Sequence, residues 1–157
     1  NMLSFFTYFA DLSHGGVKTD PGDILIEDCT VKDVDRFLHY NFSGNEVWQC
    51  GRPLRDVTFR RCTAMGLGMS LCAYGAEKLP LALKIEECSF SFARPVPEFI
   101  RAAHLDSLTV NRVTISGVTG PFVRYWGERV PSVEASAVEG LEPEVRLATE
   151  EFKTKAI

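Results

Sequence analysis

Groups able to move protons gather near the start of the chain, where Asp11, Asp20 and Asp35 lie close in sequence to His14 and His39. Cleavage of a glycosidic bond needs two carboxyl groups facing that bond, about 5 to 9.5 Å apart. Spacing along the chain brings no two of these aspartates to a defined separation, so they stand as candidates without a constellation. A second set suits binding rather than catalysis. Trp48, Gln49 and Arg52 fall in one polar stretch, 43–55, and combine a flat apolar ring bearing one donor with an amide and a guanidinium. Tyr125 and Trp126 offer the same ring chemistry later in the chain, and the plainer role for any of these rings is to cover a core. His39 and Asn41 alternate with Tyr40 as they would on one side of a strand. No CxxC pair and no Cys/His cluster at ligand spacing occurs, so neither a metal nor a cofactor is expected.

The element that must position these groups is a repeat. Leu83 to Phe90 reads LKIEECSF, and the same pattern returns as ILIEDCTV from Ile24, VTFRRCTA from Val57 and LTVNRVTI from Leu108, with a degenerate VEASAVE from Val133. Its anchors Cys29, Cys62, Cys88, Val113 and Val138 are separated by 33, 26, 25 and 25 residues. A period near 25 calls for a solenoid. Alternation up to the second apolar residue marks a strand, and two consecutive polar residues then mark a corner, after which Cys or Val points inward again. Further apolar segments at 37–40, 69–74, 99–102 and 122–126 give each coil a third strand, and Gly and Pro punctuate the rest. This predicts an all-β chain wound as a right-handed parallel β-helix of about five coils of roughly 25 residues, each coil rising about 4.8 Å on the last.

Equivalent positions read as columns support in-register stacking. The first corner column runs Glu27, Arg60, Glu86, Asn111, and the second runs Asp28, Arg61, Glu87, Arg112, so charge sign alternates from coil to coil. The next column is a hydroxyl ladder, Thr30, Thr63, Ser89, Thr114. Cys29, Cys62 and Cys88 share an inward column with Val113, which makes them small core residues with free thiols and favours a reducing, cytoplasmic setting.

With 157 residues the chain suits one domain: a partial coil and loop over 1–23, the repeats over 24–140 and a cap over 141–157. Residues 149–155, TEEFKTK, read as a short capping helix. A net charge of -4 argues against nucleic acid and anionic membranes and fits a neutral partner, and the Trp48 to Arg52 loop would suit an oligosaccharide. No apolar run is long enough to span a bilayer, and no signal peptide is visible. The aromatic start, Phe5, Phe6, Tyr8 and Phe9, reads as the tail of a coil, whose open edge would pair with a second copy as a homodimer.

The stretches ILIEDCTV, RFLHYNFSGNEVWQCGRPLRDVTFRRCTAMG and MSLCAYGAEKLPLALKIEECSF resemble the later coils of polygalacturonase-type glycoside hydrolases and their pectin-lyase-like relatives, over Ile24 to about Gly140. The resemblance implies a β-helix taken from a larger carbohydrate-active protein. Those hydrolases carry Asn-x-Asp, Asp-Asp, Gly-His-Gly and Arg-x-Lys motifs, none of which occurs here, and Ser13-His14-Gly15-Gly16 is no substitute. The expected function is therefore a carbohydrate-associated segment, non-catalytic as it stands. A self-associating structural module is the alternative, and an active hydrolase or lyase comes third.

Overall fold

In-register stacking of a repeated template places like residues side by side. The computed structural model has this arrangement over the residues it describes, 2–8, 21–42, 53–128 and 130–152. Strands in chain order are β1 (Ser4–Thr7), β2 (Ile24–Glu27), β3 (Thr30–Lys32), β4 (Arg36–Asn41) and β5 (Asp56–Arg60). There follow β6 (Thr63–Leu67), β7 (Leu71–Tyr74), β8 (Leu81–Glu86), β9 (Ser89–Val96) and β10 (Ile100–Ala103). The last four are β11 (Leu105–Val118), β12 (Val123–Trp126), β13 (Ser132–Glu139) and β14 (Val145–Leu147). Every pairing is parallel. One sheet runs β1-β4-β7-β10-β12-β14, and the other runs β2-β5-β8-β11-β9-β6-β3 with β13 on β11. The chain is a right-handed parallel β-helix of about four turns, one fewer than the repeat count predicts, and its fifth copy supplies β13.

Register matches the predicted columns. Ile24, Val57, Leu83, Leu108 and Val133 align, as do Ile26, Phe59, Ile85 and Val110. Cys62, Cys88 and Val113 are buried in the core, with Cys29 partly buried against it. The core's aromatic spine runs Phe37, Phe90, Phe99, Phe122, with successive ring centroids 5.0, 5.0 and 5.3 Å apart. Each such ring contributes about 1.5–3 kcal/mol by leaving water.

The two-polar corner has a conformation that its residue types conceal. Asp28, Arg61, Glu87, Arg112 and Ala137 all take φ between 50° and 57°, the left-handed region. That costs each of these non-glycine residues about 1–2 kcal/mol. The turn is held by hydrogen bonds between coils: Asp28 N donates to Arg60 O, Arg61 N to Glu86 O and Glu87 N to Asn111 O, at 2.8–3.0 Å. It also aims the charges at one another. Arg61 bonds Asp28 at 2.7 and 3.0 Å, Arg112 meets Glu87 at 2.5 Å and Arg60 meets Glu86 at 3.0 Å.

Over 149–152, the described part of the capping helix expected at 149–155, no helix forms, and the described residues hold none elsewhere; 153–155 lie outside the described residues. Val145–Leu147 instead pairs with β12, and Phe152 packs on Tyr74 and Trp126. A helix of that length is marginal by itself, and pairing plus ring burial outweighs its local propensity. In the turn that follows Tyr74, glycine is needed for close approach: a Cβ on Gly75 would collide with the His104 carbonyl oxygen.

Cys29, Cys62, Cys72 and Cys88 are free thiols. Burial pushes the Cys88 thiol up to about 12 from 9.0, and the Cys62 thiol up as well. The folded chain therefore holds a proton on Cys88 that the unfolded chain releases near pH 9. This contribution to stability is complete below pH 9 and is lost as pH rises from about 9 towards about 12. Iodoacetamide at pH 8.5 should leave Cys62 and Cys88 unmodified in the folded chain and alkylate both in urea. Native-state labelling of Cys88, read by peptide mass spectrometry, would refute the buried column.

Candidate functional site

The outer face of the six-stranded sheet gathers polar and aromatic groups from successive coils. Strand alternation sends Leu71, Ala73, Ile100, Ala102, Val123 and Tyr125 into the main core. Their neighbours Cys72, Tyr74, Ala103 and Trp126 form a separate cluster on the other side, covered in part by Ala148 and Phe152. Register puts His39 beside Cys72, Asn41 beside Tyr74 and Arg101 between Cys72 and Arg124. The site is thus a strip running across the coils, each strand adding one residue to each row.

Its centre is an ion cluster around Glu98, whose side chain is only 1% exposed. Glu98 Oε1 accepts from Arg101 Nη1 at 3.3 Å and from Arg124 Nε at 3.2 Å, and Oε2 accepts from Ser70 Oγ at 3.0 Å. Ser70 Oγ also lies 2.6 Å from the Glu98 carbonyl oxygen. Arg101 Nε donates to Tyr74 Oη at 3.1 Å, and the Arg101 guanidinium carbon sits 4.9 Å from the Trp126 ring centroid, a cation–π contact. Burial by itself would lower Arg101, but the Tyr74 oxygen and the Glu98 carboxylate raise it on balance. Burial raises the Tyr74 hydroxyl. Phe152 closes over this end, with ring centroids 4.9 Å from Tyr74 and 5.9 Å from Trp126, and Glu150 lies 3.8 Å from Arg124.

Two buried groups of the strip lack an acceptor among the described residues: the indole Nε1 of Trp126, and Nε and Nη1 of Arg36. Both are donors. Burial is the main cause that lowers Arg36, and Arg101 adds to it, against opposing effects of Cys72 and Tyr74.

Of the residues singled out by sequence, Asp11, His14, Asp20, Trp48, Gln49 and Arg52 lie outside the described residues. Asp35 is bound to the main chain: Oδ2 accepts from Leu3 N at 2.7 Å, which ties β1 to the start of β4. His39 is buried on the strip beside Cys72, well away in role from any paired carboxylate. Trp126 belongs to the strip but is 8% exposed, so it is a covered ring rather than an open platform. At the first strands, Phe6 and Tyr8 pack against the core, while Phe5 stacks on Phe37 and stays partly open. Phe9 lies outside the described residues.

The residues that sequence reasoning passed over are Arg36, Ser70, Cys72, Glu98, Arg101 and Arg124. A signal for two of them exists: Phe99-Ile100-Arg101 and Phe122-Val123-Arg124 write aromatic, β-branched, Arg in successive coils. Elsewhere the surface offers a depression of about 230 Å³ lined by Asp56, Thr58, Lys84, Ser107 and Thr109, open and without a buried polar group. No cluster able to hold a metal ion occurs among the described residues. Set against sequence models of protein families, curated proteins and solved structures, the chain matches none.

Proposed function

We propose that this chain is a non-catalytic β-helix segment that binds an oligosaccharide along the outer face of its six-stranded sheet. The observation that carries the reading is the Trp126 end of the strip, where an indole whose donor meets no acceptor among the described residues lies beside Tyr74 and Arg101 with Phe152 packed on it. A sugar ring has the two features this end asks for: a C–H face that stacks on an aromatic ring and oxygens that accept from indole and guanidinium donors. Phe152 then marks the place the sugar ring takes. Hydrolysis is set aside because Glu98, the buried acid of the strip, is occupied by Ser70, Arg101 and Arg124.

A glycan array followed by titration calorimetry tests this. Trp126→Ala should weaken binding about tenfold, the worth of one good aromatic contact. Phe152→Ala should strengthen it severalfold by uncovering the rings. A blank array, or an affinity that neither change moves, would remove the reading, and reducing-sugar release from polygalacturonan would remove its non-catalytic half.

A second reading, self-association, is favoured by the rim formed by β1 and β2, where Leu3, Phe5 and Leu25 are large exposed apolar side chains at one end of each sheet. An unpaired strand edge flanked by such groups is a template for another chain. Light scattering should show mass rising with concentration, and Leu25→Lys should return the chain to monomer. A monomer at millimolar concentration would exclude it.

A further inference from the structure

Arg36 sets a problem of charge that the rest of the strip does not solve. Its side chain is among the fully buried ones, at 1% exposure, yet among the described residues Nε and Nη1 meet no acceptor and its nearest partners are sulfurs, that of Met69 at 3.9 Å from Nη2 and the Cys72 thiol. The neighbouring Asp35 turns its carboxylate to Leu3 N, and Glu98 is committed to Arg101 and Arg124. Neutral sulfurs do not compensate a buried charge, and one with no opposite charge beside it is strongly unfavourable. Lysine or histidine would escape by losing a proton, but a guanidinium stays charged in proteins. With Arg101 adding a second positive charge to its surroundings, the remaining escape is an anion brought in from solution.

We infer that Arg36 is a binding site for a small oxyanion, held between the guanidinium and the Arg101 side of the outer face. Both edges of the guanidinium keep a free donor, so a carboxylate or a sulfate can be met. The net charge of -4 for the whole chain does not oppose this, because the local balance at Arg36 is positive and charges beyond a Debye length of about 8–10 Å are largely screened. This inference does not depend on the glycan reading, since it rests on an uncompensated charge and not on ring stacking.

The test uses the full chain with sodium sulfate, sodium acetate and sodium glucuronate in turn, at one ionic strength. The Arg36 Nε–H resonance should move saturably, and the thermal midpoint should rise by about 3 to 6 °C at tenfold the half-saturating concentration. Arg36→Met should abolish the thermal response. Without anion, its midpoint should equal or exceed that of the unsubstituted chain, because an unpaired charge has been removed. Response to sulfate and acetate identifies a free ion as ligand, and response to glucuronate alone identifies a sugar-borne carboxylate; either supports the site. An unmoved Nε–H resonance, or equal thermal responses with and without the guanidinium, overturns it. The resonance titration needs no substitution, so it decides even where Arg36→Met does not fold. A saturable shift beside a blank glycan array would leave the anion site standing and remove the glycan reading.

Discussion

Glu98→Ala should lower the thermal midpoint by about 10 °C. The carboxylate is 1% exposed and answers both Arg101 and Arg124, so its removal leaves two guanidiniums without their shared counter-charge, while the Ser70 hydroxyl keeps the residue 98 carbonyl oxygen as acceptor. Breaking a buried ion pair by deleting one partner costs about 3–5 kcal/mol. Arg101 and Arg124 are 21% and 24% exposed and keep some water, which places the cost near the lower end. For a domain of this size each kcal/mol is worth about 2–4 °C. Glu98→Gln, which keeps the volume and some of the hydrogen bonding, should fall between the two. A loss under about 2 °C by circular dichroism would mean that solvent, and not Glu98, compensates the two arginines.

Phe99→Ala should be as damaging by a different route. Phe99 has no exposed surface and touches Phe90, Phe92 and Phe122, the middle of the aromatic spine that crosses the coils. Truncating such a ring costs about 3–5 kcal/mol, part of it lost transfer energy and part the cavity left behind. With a denaturant slope near 2 kcal/mol/M, the urea midpoint should drop by about 2 M. Phe99→Leu should recover much of that loss, since it refills most of the space. If truncation at Phe99 cost no more than truncation at exposed Thr114, the coils would not share one continuous core.

Stacking explains why the fold could be read and the site could not. In a parallel coil the neighbour of Val57 is Ile24 on one side and Leu83 on the other, so one inward residue demands another of its kind and the template repeats. The outward row His39, Cys72, Arg101, Arg124 is under no such demand, and its members differ. Glu98 sits before β10, outside any repeated strand position, so nothing in its neighbourhood advertises the two arginines it joins. The left-handed corner stayed hidden because Asp, Arg, Glu and Ala occupy a conformation usually signalled by glycine. The C-terminal segment misled because capping-type residues in 149–155 favour a helix locally, whereas Phe152 gains more on the rings of Tyr74 and Trp126.

The corner ladder also gives the helix a parity. Asp28, Arg61, Glu87 and Arg112 alternate in sign, and each opposite pair is in contact or one coil apart. Excising one turn, such as 62–87, would splice the chain cleanly in period yet shift the ladder by one step, setting Arg61 against Arg112. Excising two turns restores the match. Growth or loss by recombination is therefore tolerated in even numbers of coils and penalised in odd ones. The penalty for a misplaced exposed pair is only a few tenths of a kcal/mol, and it falls on the one junction where the coils are rejoined. Charge here works as a counting device, recording whether a coil is even or odd, where the apolar interior treats all coils alike.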